Sequence, residues 1–207
     1  MQQTGTQERI LDVALRMFMT YGAKSITMND ISRECGISKK TLYEHFEDKN
    51  ELVQEAITFM LKCHLDDIMT TNGQAKNAIE ELVFGLEHTE KMVKTVNPVL
   101  LYEVEKYFPS SWKVIMEFKE GFLADYLSKN LERGMEEGLY RKNINIPVIR
   151  HMRLLQLDSA FNPQHFPVAK FDLHEVLYQV AAHYIHGIAT LKGHKLVNKY
   201  LNINEEE

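Results

Sequence analysis

Between Ser38 and Phe46 the chain reads SKKTLYEHF. With Leu42 taken as the inward direction and about 100° per helical residue, Phe46 falls beside Leu42, and Lys40 and Glu44 fall opposite. Thr41 and Tyr43 flank that outer face, and His45 lies nearer the core edge. Together with Lys39, the face offers ammonium groups, a hydroxyl, a phenol and a carboxylate. This set makes neither a nucleophile–base pair nor a metal cage, but it suits double-stranded DNA. A lysine can donate to guanine O6/N7 or to phosphate, and Thr41 can reach a base edge or a thymine methyl. Tyr43 and His45 can donate to phosphate oxygens, which position a protein without reading sequence. Glu44 is awkward beside phosphate; it can accept from cytosine N4 or exclude some sequences.

Two short helices must present that face. Thr27-Met-Asn-Asp30 is a capping box for a helix over 28–35, and Gly36 ends it. Ser38 caps a third helix, about 39–46, and Asp48-Lys-Asn-Glu51 starts a fourth. Neither short helix would be stable alone, since isolated helices under about 12–15 residues are marginal in water. Their partner is a first helix over about Gln7–Tyr21, with Ile10, Ala14, Phe18 and Tyr21 as its buried stripe and Gly22 closing it. Thr27, Ser38 and Lys49 bracket the outer face where backbone phosphates should run. A tight helix-turn-helix with a glycine in its turn and a polar outward second helix reads a DNA groove.

Other chemistry finds little support. The formal net charge is −5, yet residues 1–50 hold seven basic and seven acidic side chains, so the surplus lies in the remainder. An acidic body is repelled by DNA everywhere except at its neutral end. No glycine-rich phosphate loop, G-x-S-x-G or H-E-x-x-H is present. His183 and His186 are i, i+3, but local spacing supplies no further ligand, so no metal and no cofactor is expected. Cys35 and Cys63 take apolar helical positions and read as reduced filler in a cytosolic chain. No run of about 18 apolar residues occurs, and the polar N-terminus MQQTGTQERI predicts no leader.

The stretch Ile10–Val53, ILDVALRMFMTYGAKSITMNDISRECGISKKTLYEHFEDKNELV, resembles the DNA-binding domain of the TetR/AcrR family of bacterial transcriptional regulators. The matching features are a helix ending in Tyr-Gly, Thr-x-x-x-Ile, a Gly-Ile-Ser turn and Thr-Leu-Tyr-x-x-Phe-x-x-Lys. Ser32 and Cys35 stand where the family usually has alanine, and Glu44 is more acidic than usual; these departures bear on operator sequence, not on mode. The resemblance implies an all-α homodimer with DNA as partner. Its C-terminal domain pairs through the last two main helices and encloses a small-molecule effector. In most relatives that effector moves the recognition helices apart. The expected function is a cytoplasmic repressor relieved by ligand; an activator using the same binding mode is the alternative, and a helical enzyme or carrier the rival class.

Beyond the fourth helix the punctuation predicts helices over 75–95, from Asn97-Pro98, over about 110–137, from Asn145-Ile-Pro147 to Ser159, and from Asp172 to about Lys192. This gives about nine helices and no convincing strand, with domains over 1–50 and 51–207. Ile149, Met152, Leu177, Val180, Tyr184 and Ile188 are the expected dimer residues, because the last helix is apolar on more than one face. Tyr102, Trp112, Met116 and Gln156 are candidates for an effector pocket.

Overall fold

The computed structural model describes residues 2–93 and 99–204, with side chains for 5–70, 73–91 and 100–204. The described chain is helical: α1 (Gln2–Tyr21), α2 (Met28–Glu34), α3 (Lys39–His45), α4 (Lys49–Asn72), α5 (Ala78–Val93), α6 (Val99–Tyr107), α7 (Pro109–Phe118), α8 (Ala124–Glu136), α9 (Ile146–Phe161), α10 (Leu173–Ile188) and α11 (Leu191–Leu201). A π-helical turn, Lys119–Leu123, stands between α7 and α8 in the stretch expected as one long helix over 110–137. The start expected at Asn97-Pro98 lies outside the described residues. The helix expected to run to Lys192 breaks earlier. Thr190 accepts from the Gly193 amide and caps a separate α11, while Ala189 pairs with Tyr140 in an isolated antiparallel bridge.

Two compact units emerge, Met1–Leu65 with Thr95–Phe118, and Asp66–Lys94 with Lys119–Glu207. The first extends past residue 50 because Leu52, Val53, Ala56 and Ile57 of α4 pack into the same core as Ile10, Phe18, Ile31, Leu42 and Phe46. Leu100, Val104 and Phe108 complete that core, and Trp112 packs against it. In the second unit the Tyr140 hydroxyl donates to the Ala78 carbonyl at 3.0 Å and lies 3.1 Å from Asn130 Oδ1. Its ring occupies the space where a side chain at Gly134 would stand. Arg133 joins Glu81 at 3.0 Å and Glu137 at 2.8 Å, so the buried Glu81 at the start of α5 is paired. No described helix is long and apolar enough to cross a membrane.

Candidate nucleic-acid interface

The turn between α2 and α3 is built around Gly36. Its φ of +64° is left-handed, which costs other L-residues steric strain. The Ile37 amide then donates back to the Ser32 carbonyl at 3.0 Å. At the start of α2 the capping box is formed. The Asp30 amide donates to Thr27 Oγ1 at 3.2 Å, and the Thr27 amide donates to Asp30 Oδ2 at 3.0 Å. The Thr27 side-chain and backbone hydrogen bonds hold the Asp30 carboxyl below its usual range. Ser38 caps α3 by accepting from the Thr41 amide at 3.0 Å.

Seven residues of α3 divide sharply. Leu42 is 0% exposed and the following Phe46 1%, so the helix is held by one side only. Ser38, Lys39, Lys40, Tyr43 and Glu44 are exposed, as is Thr27; Thr41 and His45 are half-buried. Lys40 Nζ lies 4.0 Å from Glu44 Oε1, and Lys39 Nζ sits 5.8 Å from the Tyr43 ring centroid. Interactions this exposed break readily in favour of a stronger anion. The Thr41 and Ser38 hydroxyls are 2.9 Å apart and share a hydrogen bond in which either can donate.

Lys49 differs from the expectation. Its ammonium donates to the Lys24 carbonyl at 2.9 Å and lies 5.7 Å from the Phe108 ring centroid. Burial lowers its pKa, opposed by Glu103 and Asp30. A phosphate contact by Lys49 would therefore have to displace an interaction inside the subunit. The same corner holds a residue that sequence reasoning missed. Glu103 of α6 accepts from the Lys24 amide at 2.9 Å and packs on Gly22, whose φ is +82°. Nothing in local spacing links α6 to this turn, 79 positions away.

The other expected sites fare unevenly. Leu177, Tyr184 and Ile188 are buried within the chain, so much of the apolar surface of α10 is covered by intramolecular packing. Ile149 and Val180 are half-buried. Met152 is exposed, together with Val148 and Leu155 on the same face of α9. Of the effector candidates, Tyr102, Trp112 and Met116 belong to the first unit and Gln156 to the second. The Tyr102 hydroxyl is engaged by Lys106 at 3.1 Å. Cys63 is exposed, contrary to its apolar-position reading, while Cys35 is buried. His186 Nδ1 lies 3.0 Å from His194 Nδ1, and His183 is exposed.

Among the described residues the chain is helical, and α3, anchored by Leu42 and Phe46 with its polar side outward, makes with α2 a helix-turn-helix of the DNA-binding kind. Residues 10–56 match the family described as "Bacterial regulatory proteins, tetR family". The chain is 25% identical over 182 residues to YvaF, an HTH-type transcriptional regulator of Bacillus subtilis, covering 87% of this chain and 94% of that one. It is 21% identical over 165 residues to the "Probable acrEF/envCD operon repressor" of Escherichia coli K12, covering 76% of this chain and 73% of that one. A transcriptional regulator from Saccharomonospora viridis, solved in complex with choline, has the same fold, with TM-score 0.76 and 16% identity over 90% of this chain and 99% of that one. Residues 10–56 thus form a TetR-type DNA-binding domain, and the chain is a TetR-like DNA-binding transcriptional regulator.

Proposed function

We propose that the protein is a repressor that holds a two-fold symmetric operator as a homodimer and releases it when a small molecule binds the unit Asp66–Lys94 with Lys119–Glu207. The carrying observation is the division of α3: Leu42 and Phe46 are sunk in the core, and every polar side chain between them is wholly or partly accessible. Lys39, Lys40, Thr41, Tyr43, Glu44 and His45 meet base edges and phosphates, with Thr27 and Ser38 at the margins. Lys49 buttresses the corner from behind. The E. coli relative named as a repressor supports the sign of regulation.

A second copy of the chain covers the exposed apolar stripe of α9. Val148, Met152 and Leu155 recur at i, i+4 and i+7 and are 51%, 49% and 52% exposed, a seam wanting a helical partner. Pairing there gives the two-fold axis that places two α3 helices in successive major grooves, about 34–36 Å apart or a multiple of that. The protein acts in the cytoplasm on DNA and performs no catalysis. The test is a reporter placed behind a bound genomic fragment, in cells with and without the chain. Loss of the chain should raise expression; a fall would make the protein an activator, and no change would remove the regulatory reading at that site.

A further inference from the structure

Two arginines of the second unit, Arg133 and Arg153, stand in very different circumstances. Arg133 is paired with two carboxylates and also donates to the Ala75 carbonyl at 3.1 Å. Arg153, on α9, has no carboxylate within ion-pair distance among the described residues. Its hydrogen bond is a long one, from Nη1 to the Val180 carbonyl at 3.4 Å, and its guanidinium lies over the Tyr184 ring at 4.9 Å from the centroid. Some of its surface stays accessible, yet burial lowers its pKa to about 10, opposed by the neighbouring Tyr184. An unpaired buried charge is costly, and cores normally remove it or pair it.

Two further polar atoms, on α9 and α10, are also unsatisfied. The Tyr184 hydroxyl and Gln156 Oε1 are buried without a hydrogen-bond partner among the described residues. Burial pushes the Tyr184 pKa up to about 12, so the phenol stays a neutral donor. Gln156 stands one helical turn beyond Arg153 on α9. Its amide offers donors once its two ends exchange places, an assignment that depends on the partner. A guanidinium with uncommitted N–H groups, a phenol O–H and an amide together form a donor set suited to a carboxylate. Val180, one turn before Tyr184 on α10, adds an apolar side chain at the residue whose carbonyl Arg153 reaches.

We infer that Arg153, Tyr184 and Gln156 form the anchor for the carboxylate of an effector with an apolar body. This rests on the ligand-responsive reading above and narrows it to acids over neutral or cationic molecules. The guanidinium supplies the paired N–H fork, the phenol a third donor, and the effector the missing negative charge.

The probes are straight-chain carboxylates of about six to twelve carbons, their alcohols and their trimethylammonium analogues, offered to the full chain. Acids should raise the unfolding temperature and release operator DNA. Arg153→Met should weaken acid binding about 30-fold or more, which is about 2 kcal/mol. It should leave the ligand-free unfolding temperature unchanged or higher, since it removes an unpaired buried charge. Arg153→Lys should keep part of the affinity. Tyr184→Phe, which preserves the packed ring, should weaken acids about tenfold, and serves if Arg153→Met does not fold. Acids that bind Arg153→Met as well as the wild type would overturn the inference. So would a dimer lost on Arg153→Met with acid binding intact, which would make Arg153 an interface residue. Release by alcohols or ammonium compounds but not by acids sinks the carboxylate anchor and leaves effector relief standing; release by none counts against both.

Discussion

Replacing Lys40 by alanine separates a DNA-contacting face from a merely solvated one. Lys40 is 88% exposed, and its one close ion partner, Glu44, is 60% exposed at 4.0 Å. Losing so exposed a pair changes folding stability little, and alanine is a good helix former. The effect should therefore appear in DNA binding alone. A lysine on phosphate releases condensed counterions, and each such contact contributes about 0.9 to the slope of log affinity against log salt. In a dimer two copies are lost, so the slope should become shallower by about 1.8. Between 50 and 200 mM salt, the wild type should lose about tenfold more affinity than the variant. Fluorescence anisotropy of a labelled operator across a salt series reads this directly. If Lys40 instead donates to guanine, specific binding should fall by about 1–3 kcal/mol per contact, with relaxed sequence preference. An unchanged slope together with unchanged specific affinity would refute the assigned face.

Gly22→Ala should destabilise the first unit by about 1–2 kcal/mol from the left-handed backbone alone, and more because its Cβ would stand 2.6 Å from Glu103 Oε2; urea unfolding that matches the wild type would contradict this. The depressed Asp30 pKa adds stability that is present above the ordinary carboxylate range and is lost as pH falls through the folded value. Thr27→Val removes the hydroxyl that is the main cause, so acid unfolding followed by circular dichroism should begin at higher pH; an unmoved acid limb would rule out the capping box as its source. Met152→Asp should convert dimers to monomers in sedimentation equilibrium without loss of helix, and a variant as dimeric as the wild type would exclude the α9 stripe.

The helix-turn-helix was legible because its determinants are local. Thr27 and Asp30 are three residues apart, Gly36 supplies the turn, and Leu42 and Phe46 are spaced by one turn. Periodicity also located most later helices, but it overran the break at Ala189. There, the Thr190 amide donates to the Leu139 carbonyl at 2.8 Å, a tertiary contact that no local pattern announces. Leu177, Tyr184 and Ile188, expected at the dimer seam, lie in the chain's own core for a related reason. An apolar face on α10 says that something must cover it, not whether that cover is α5 and α9 of the same chain or another molecule. Glu103 and Lys49 took their roles from a contact between α6 and the turn after α1. Arg153 did carry a faint signal: it shares a stripe with Ile149 and Ala160, where a charge is out of place.

The most direct test is selection of bound duplexes from a random DNA pool by the wild-type chain and by Tyr43→Ala. The wild type should enrich a two-fold symmetric sequence whose half-sites are spaced by about one helical turn or a multiple of it, and the variant should lose that enrichment while remaining folded. No symmetric enrichment by the wild type, or the same enrichment by both proteins, would contradict a DNA-reading role for the outward side of α3.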